Sequence, residues 1–82
     1  MRATVLVRPK GGILDPQGEA VERSLRQLGF EVGEARVGRV IDLAVDASSA
    51  DEARSQLERM CENLLANPLI ESYEIELEEH SA

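Results

Sequence analysis

The stretch that decides the fold is residues 2–8, which have the sequence Arg2-Ala3-Thr4-Val5-Leu6-Val7-Arg8. Consecutive side chains of an extended chain point to opposite faces, and this run is rich in branched aliphatic types. Its odd-numbered positions are all apolar, whereas its even-numbered positions include two arginines and a threonine. The alternation predicts a first β-strand with the odd-numbered face buried.

Downstream of this strand, Pro9-Lys10-Gly11-Gly12 breaks the pattern and a helix start follows. Asp15 is placed to cap free backbone N–H groups, and Pro16 suits the first helical turn. A first helix is therefore expected from about Pro16 to Leu28, with a left-handed stop at Gly29. Its apolar stripe, expected to be buried, consists of Val21, Leu25 and Leu28.

A second helix is predicted in the C-terminal half of the chain. Ser49 and Glu52 have the spacing of a capping box, and the helix is expected to end at Asn67-Pro68. The positions that share one face at helical spacing, and are expected to be buried, are Ala53, Leu57, Met60, Cys61 and Leu64.

Three further alternating runs predict the remaining strands. Residues 30–37 and 39–46 are separated by Gly38 and are expected to form a hairpin, with a bulge at Gly33 where the apolar phase shifts. The last run, residues 70–78, sets apolar side chains on one face against an acidic row on the other.

The order β-α-β-β-α-β predicts an α+β fold, an antiparallel sheet with two helices on one face, in a ferredoxin-like or related layout. Residues 1–82 are expected to form one domain, because the chain is too short for two cores. The other sheet face would expose Leu6, Val40 and Ala44, which predicts a homodimer through sheet packing or edge pairing. A monomer with scattered apolar surface residues is the alternative.

Composition excludes several classes of protein. A net charge of −7 argues against binding to nucleic acid, which needs clustered Lys and Arg. The single cysteine, Cys61, makes no internal disulfide, and the single histidine, His80, falls in a short tail, so no metal site is expected. No apolar run is long enough for a membrane span, which leaves the cytoplasm as the expected location.

The candidate chemical groups of the sequence each have a plain structural role. The cationic glycine-containing loop from Arg8 to Gly12 lacks the spacing of a phosphate-binding motif. Cys61 lies on an apolar helix face, where a thiol packs as a small hydrophobe. The serines have no base within reach to activate them. The carboxylates of the last strand are expected to form a solvated edge, without the His or Asn side chains that a metal site would need. These carboxylates are Glu71, Glu74, Glu76, Glu78 and Glu79. No active site is therefore predicted.

The residues resemble the PurS family of accessory subunits of phosphoribosylformylglycinamidine synthase, over nearly the whole chain. The matching stretches are Val5-Leu6-Val7-Arg8-Pro9-Lys10, Leu14-Asp15-Pro16-Gln17-Gly18, Leu28-Gly29-Phe30, Arg36-Val37-Gly38-Arg39 and residues 61–71. Two of these segments are specific for the family when they occur in this order in so short a chain. They are Asp15-Pro16-Gln17-Gly18 and Leu64-Leu65-Ala66-Asn67-Pro68. One departure is Arg39, where the family more often has Lys, and the acidic tail from Glu78 to Ala82 has no assignment.

The resemblance implies a non-catalytic subunit in purine biosynthesis. Its partners would be a glutaminase subunit of the PurQ type and a synthetase subunit of the PurL type, with this chain, as a homodimer or dimer of dimers, needed for assembly and ammonia delivery. ATP and Mg²⁺ would be used by the synthetase, and no cofactor is expected on this chain. The expected partner contacts are the loop Asp15, Pro16, Gln17 and Gly18 and the corner Leu65, Asn67 and Pro68.

Two other functions use a similar order of elements. A regulatory module of the ACT type would bind a small metabolite between subunits. A small acylphosphatase would need an anion-binding loop with a partnered Arg and Asn, and Arg8 lacks the expected glycine-rich context.

Overall fold

A computed structural model describes residues 1–78, so residues 79–82 of the predicted tail, including Glu79 and His80, lie outside the described residues, whereas Glu78 ends the last strand. The element order is β-α-β-α-β. The elements are β1 (Arg2–Pro9), α1 (Pro16–Gln27), β2 (Arg39–Ala44), α2 (Ala50–Met60), a π-helical turn (Cys61–Leu65) and β3 (Glu71–Glu78). The predicted α+β class, with an antiparallel sheet and two helices, is confirmed.

The sheet has three strands in the order β2-β1-β3, and both pairs are antiparallel. Val5, at the centre of β1, lies opposite Ile41 of β2 and Ile75 of β3. The alternation in β1 has the predicted phase, since Ala3, Val5 and Val7 are all buried. The two other strands have an unpaired outer edge each.

The core lies between the odd-numbered face of β1 and the second helix. Leu57 of α2 is completely buried, and half-buried side chains such as Ile41 and Ile75 close the core from the flanking strands. The buried set is Ala3, Val5, Val7, Val45, Ala53, Leu57, Cys61 and Ala66. One helix over one face of a small sheet thus provides the apolar burial of the described chain.

Both predicted helix starts are confirmed. The Asp15 carboxylate accepts a hydrogen bond from Gly18 N at 3.0 Å, and Ser49 Oγ accepts one from Glu52 N at 3.1 Å. Gly29 adopts φ +95° directly after α1, in the left-handed region that glycine tolerates best, as predicted.

The predicted burial of the last α2 residues is partly wrong. The backbone widens into a π-helical turn, in which Ala66 N donates to Cys61 O at 3.1 Å, five residues back. Cys61 and Ala66 therefore share the buried face, and Leu64 is 82% exposed. The spacing argument assumed 3.6 residues per turn throughout, and the extra residue of the π turn breaks that assumption.

The predicted strand at residues 30–37, its hairpin and its bulge at Gly33 are not formed. No turn separates residues 34–38 from β2, and Gly38 does not have a positive φ. Instead Gly38 lies against the carbonyl of Val7, where a side chain has no room. Gly38 is therefore a site of close approach, and β2 begins at the next residue.

Residues 16–38, which we term the arm, lie beside the sheet end and not over its core. Within the arm, Arg26 donates to Val32 O and Gly33 O at 3.0–3.3 Å, and Phe30 N donates to Leu25 O at 3.0 Å. Of the α1 residues only Gly18 is buried, so the predicted burial of the α1 stripe is wrong for the single chain.

The arm explains the elongated shape of the molecule. The Cα radius of gyration is 16.2 Å and the principal extents are 50 × 30 × 14 Å. A compact domain of this length has a radius of gyration of about 12 Å. In the part of the chain that is described, no helix is long and apolar enough to cross a membrane.

Replacement of Gly38 by alanine is expected to destabilise the fold by about 1–3 kcal/mol, because the new Cβ would press on the backbone of β1. Gly33→Ala is the matched control, since nothing lies within 4 Å of a Cβ there and its φ is not positive. Urea unfolding of both variants measures the difference. Equal midpoints would show that Gly38 is not held against Val7.

Candidate interaction site at one end of the sheet

Three segments meet where β1 ends, and we term this region the loop end: residues 9–18, 36–39 and 65–71. Lys10 joins two of them, because its N–H donates to Ile70 O at 2.9 Å and its Nζ donates to Pro68 O at 2.6 Å. Arg36 adds the third by donating to Pro9 O and Lys10 O at 2.9 and 2.7 Å. The loop end therefore unites the two surfaces predicted to contact partners.

Asp15 organises the first of these surfaces. One carboxylate oxygen caps α1 through Gly18 N, and the other accepts from Val37 N at 3.0 Å. The hydrogen bonds from Val37 and Gly18, helped by the charge of Arg36, hold the pKa of Asp15 below its ordinary value. Asp15 thus ties the start of α1 to the extended segment beside it.

The neighbours of Asp15 divide into structural and available residues. Pro16 occupies the first turn of α1, and Gly18 is buried against Ala35 O, where a Cβ would also meet the Asp15 carboxylate. Gln17 is exposed, and its side chain makes no hydrogen bond to any residue between 1 and 78. Of the four motif residues, Pro16 and Gln17 are exposed, and Gln17 is the one of these two that offers a polar side chain to a partner.

The corner before β3 is built around Asn67. Its Oδ1 accepts from Leu69 N at 3.2 Å, and its carbonyl accepts from Ile70 N and Glu71 N at 3.0 and 2.7 Å. These bonds make Asn67 a turn-forming residue, with Pro68 following it in the turn. A substitution of Asn67 is therefore expected to alter the corner itself as well as any contact it makes.

An ion pair between Arg39 and Glu71 connects this corner to β2. Arg39 donates to both Glu71 carboxylate oxygens at 2.7 and 2.9 Å and to Leu65 O at 2.7 Å. Bonding to Arg39, and then to Asn67 N, lowers the pKa of Glu71, and the same pair raises the pKa of Arg39. The positive charge at position 39, where the family more often has Lys, thus has a defined partner in Glu71.

Exposed apolar side chains surround this framework. Leu14 is 73% exposed, Leu69 is 84% exposed, and Ile70 is also exposed. Leu14 and Ile70, but not Leu69, border a shallow cleft of about 270 Å³, whose lining is Pro9, Ile13, Leu14, Asp15, Gln17, Val37, Gly38, Arg39, Ile70 and Glu71. Sequence reasoning missed Leu14, Leu69 and Ile70; the available signal was apolar residues next to turn-forming Asp, Pro and Asn.

The remaining predicted interface residues lie elsewhere. Leu65 is half-buried, and it takes part in the corner through its carbonyl. Leu6 lies opposite Val40 on the sheet face away from α2, and Val40 is 61% exposed. Ala44 shares that face, opposite Arg2. The dimer role of these three residues stays a prediction.

The face that carries Leu6 and Val40 is otherwise charged. Arg2 lies 3.9 Å from Glu78, and Arg8 lies 3.6 Å from Glu74. Thr4 Oγ1 donates to an Asp42 carboxylate oxygen at 2.9 Å. A partner that covered this whole face would have to desolvate these charges.

The thiol of Cys61 and the phenol of Tyr73 both have a raised pKa in the folded chain. Burial, with added repulsion from Glu62 and Glu58, raises the pKa of the Cys61 thiol. Burial likewise raises the pKa of Tyr73, whose hydroxyl donates to Glu62 at 3.1 Å. Within residues 1–78, no group of three or more His, Cys, Asp or Glu could hold a metal ion.

Comparison with known proteins shows the family to which the chain is similar. A family model described as PurS: Phosphoribosylformylglycinamidine (FGAM) synthase matches residues 2–79. The phosphoribosylformylglycinamidine synthase subunit PurS of Methanocaldococcus jannaschii is 38% identical over 78 residues, or 94% of each chain. The subunit of the same description from Bacillus subtilis is 39% identical over 79 residues, or 95% of this chain and 93% of the relative.

Solved structures give the same result. The structure of B. subtilis PurS has a TM-score of 0.85 and 39% identity, and the match covers 95% of this chain and 98% of that one. A chain of the structure of PurLQS from Thermotoga maritima has a TM-score of 0.84 and 36% identity, with coverages of 92% and 93%.

The Asp15 carboxylate accepts from both Gly18 N and Val37 N, and we term this pair of hydrogen bonds the Asp15 bridge. The Asp15 bridge predicts that part of the stability of the fold is lost in acid. Because the pKa of Asp15 is lower in the folded chain, its contribution is complete above about pH 4 and is lost as the pH falls through the folded pKa. Asp15→Asn keeps an acceptor oxygen for the cap but does not titrate. The urea midpoint of the wild type should fall more steeply than that of Asp15→Asn between about pH 5 and pH 2. Parallel curves would contradict the bridge.

Proposed function

The chain belongs to the PurS family, and on that premise we propose that it is a non-catalytic subunit of a phosphoribosylformylglycinamidine synthase complex in purine biosynthesis. It acts by holding a PurQ-type glutaminase and a PurL-type synthetase together, so that ammonia passes from one to the other. ATP and Mg²⁺ are used by the synthetase, and this chain binds no cofactor. The proposal places the complex in the cytoplasm.

The family match over residues 2–79 carries this proposal. A chain within the PurLQS structure of T. maritima shares the fold at a TM-score of 0.84, which supports the two kinds of partner. Family and structural similarity favour this function over an ACT-type metabolite-binding module.

The loop end is the surface proposed to contact a partner subunit. Its backbone is fixed by Asp15, Arg39 and Asn67, whereas Gln17 and the apolar side chains around it point outward. Protein interfaces combine a small apolar centre with a polar rim and a rigid backbone. Leu14, Leu69 and Ile70 would form the apolar centre, and Gln17 would form part of the polar rim.

The experiment mixes this chain with the two larger subunits and measures co-purification and glutamine-dependent product formation. Omission of the chain should abolish the glutamine-dependent rate while leaving glutaminase-independent use of ammonia by the synthetase. A double variant, Gln17→Ala with Leu69→Asp, should reduce binding about tenfold or more, because it removes a polar contact and places a charge in an apolar contact.

The matched control is Ser55→Asp, which adds a charge at an exposed position of α2, away from the loop end. It should bind as the wild type does. If the double variant remains folded by circular dichroism and supports full glutamine-dependent synthesis, the loop end is not the partner surface. If the wild-type chain neither binds nor stimulates, the proposed function itself fails.

A further inference from the structure

A cleft beside the start of β2 is rich in positive charge. Its volume is about 390 Å³, and its lining includes Leu6, Arg8, Arg36, Arg39 and Val40. Three of these five residues are arginines, although the whole chain has 16 acidic residues against 9 Lys and Arg. We term this region the arginine cleft. It would attract a negatively charged group to a molecule whose net charge repels one.

Arg39 is the arginine of the cleft whose charge is already used within the chain. It donates to both carboxylate oxygens of Glu71 and to Leu65 O, all at 2.7–2.9 Å. Neighbouring side chains of a strand point to opposite faces, so Arg39 and Val40 lie on different sides of β2. Arg8 and Arg36 therefore supply the charge that is available on the side of Val40.

Arg36 is a cation held in a fixed place. Its Nη2 donates to Pro9 O and Lys10 O at 2.9 and 2.7 Å, and its side chain is 29% exposed. Its Nη1 lies 3.8 Å from a carboxylate oxygen of Glu34, which is longer than a hydrogen bond. The backbone of the loop end thus fixes the guanidinium, and Nη1 still has N–H groups to donate.

Arg8 is also weakly paired. Its Nη1 lies 3.6 Å from a carboxylate oxygen of Glu74, and the two side chains are 58% and 66% exposed. Exposed ion pairs contribute little to stability, because water screens them and both side chains lose freedom. A carboxylate from another molecule could therefore bind Arg8 at little cost to the fold.

The arginine cleft has an apolar side as well. Leu6 and Val40 lie opposite each other on the two strands, and Val40 is 61% exposed. A small inorganic anion would leave these side chains in water. A protein segment with a carboxylate next to an aliphatic side chain would cover them and would also bind the arginines, so a protein is the better fit.

The sign of the surface charge changes on the other side of Arg36. A second cleft, of about 140 Å³, has Glu19, Glu22 and Glu34 in its lining together with Arg36. A surface that carries opposite charges on its two sides favours one orientation of a charged partner, because the reversed orientation brings like charges together.

We propose that the arginine cleft binds an acidic surface segment of one of the two larger subunits. Carboxylates of that segment accept hydrogen bonds from Arg8 and Arg36, and an adjacent aliphatic side chain packs on Leu6 and Val40. This contact rests on the proposed function and deepens it, since it names the chemistry of the partner surface. A second copy is a weaker candidate, because a two-fold contact centred on the cleft would place its arginines against each other.

The first test is a titration of the chain into a fixed mixture of the PurL-type and PurQ-type subunits. Binding is followed by fluorescence anisotropy of the labelled chain, and function by the glutamine-dependent rate. Arg8→Glu should raise the concentration needed for half-maximal binding and rate about tenfold or more, because a carboxylate would then face a carboxylate. Its fold is checked by circular dichroism.

Arg54→Glu is the matched control. It changes the net charge by the same amount at an exposed position of α2, so it should bind as the wild type does. Sodium chloride should weaken the binding of the wild type and of Arg54→Glu more steeply than that of Arg8→Glu, because Arg8→Glu has lost the attraction that salt screens.

A second variant identifies the bound group directly. Arg8→Lys places a primary amine in the cleft, and a carbodiimide joins an amine to a carboxylate that it contacts. Mass spectrometry of the treated complex should connect residue 8 to an Asp or Glu of a larger subunit. Arg54→Lys should give no such product.

Three results would overturn the arginine cleft as a partner site: equal binding by Arg8→Glu and Arg54→Glu, a cross-link from residue 8 only to this chain or a second copy of it, or a rise in melting temperature with inorganic phosphate that Arg8→Glu abolishes. Each leaves the proposed function standing as long as the wild-type chain stimulates glutamine-dependent synthesis. A wild-type chain that fails to stimulate would overturn the proposed function and this contact together.

Discussion

The structure depends on β1 being paired on both sides and covered by a single helix. Val5 and Val7 are almost inaccessible to water because β2 and β3 flank them and α2 lies over them. The rest of the chain is attached to this small core by hydrogen bonds of backbone and side chain. A core of this size leaves little surplus stability, so the chain gains from any further surface that a partner covers.

The loop end shows how few side chains fix the backbone of the surface that we propose as the partner contact. Asp15 joins helix to extended segment, Asn67 shapes the corner, and Arg39 with Glu71 connects the corner to the sheet. Asp15 and Asn67, which the sequence predicted as partner contacts, thus form hydrogen bonds within the chain. Gln17 and Leu69, which the framework leaves exposed, are the residues that we propose for the contact.

Much of the fold follows from local pattern. The alternation of β1, the Asp15 and Ser49 caps and the stop at Gly29 were all predicted correctly, because each depends on residues close in sequence. The hairpin predicted at Gly38 was wrong. Alternation indicates which side chains share a face of a strand, but it does not indicate which other strand pairs with it. Glycine serves both tight turns and close approach, and the sequence does not distinguish them. Leu14 and Leu69 were missed because loop exposure depends on the final position of the loop.

The π turn has an evolutionary implication. A π turn of this kind corresponds to one residue inserted in an α-helix, and here it leaves Cys61 and Ala66 buried while Leu64 is turned to solvent. A change of chain length by one residue, with no substitution at all, can therefore convert a buried leucine into a surface one and still preserve the core.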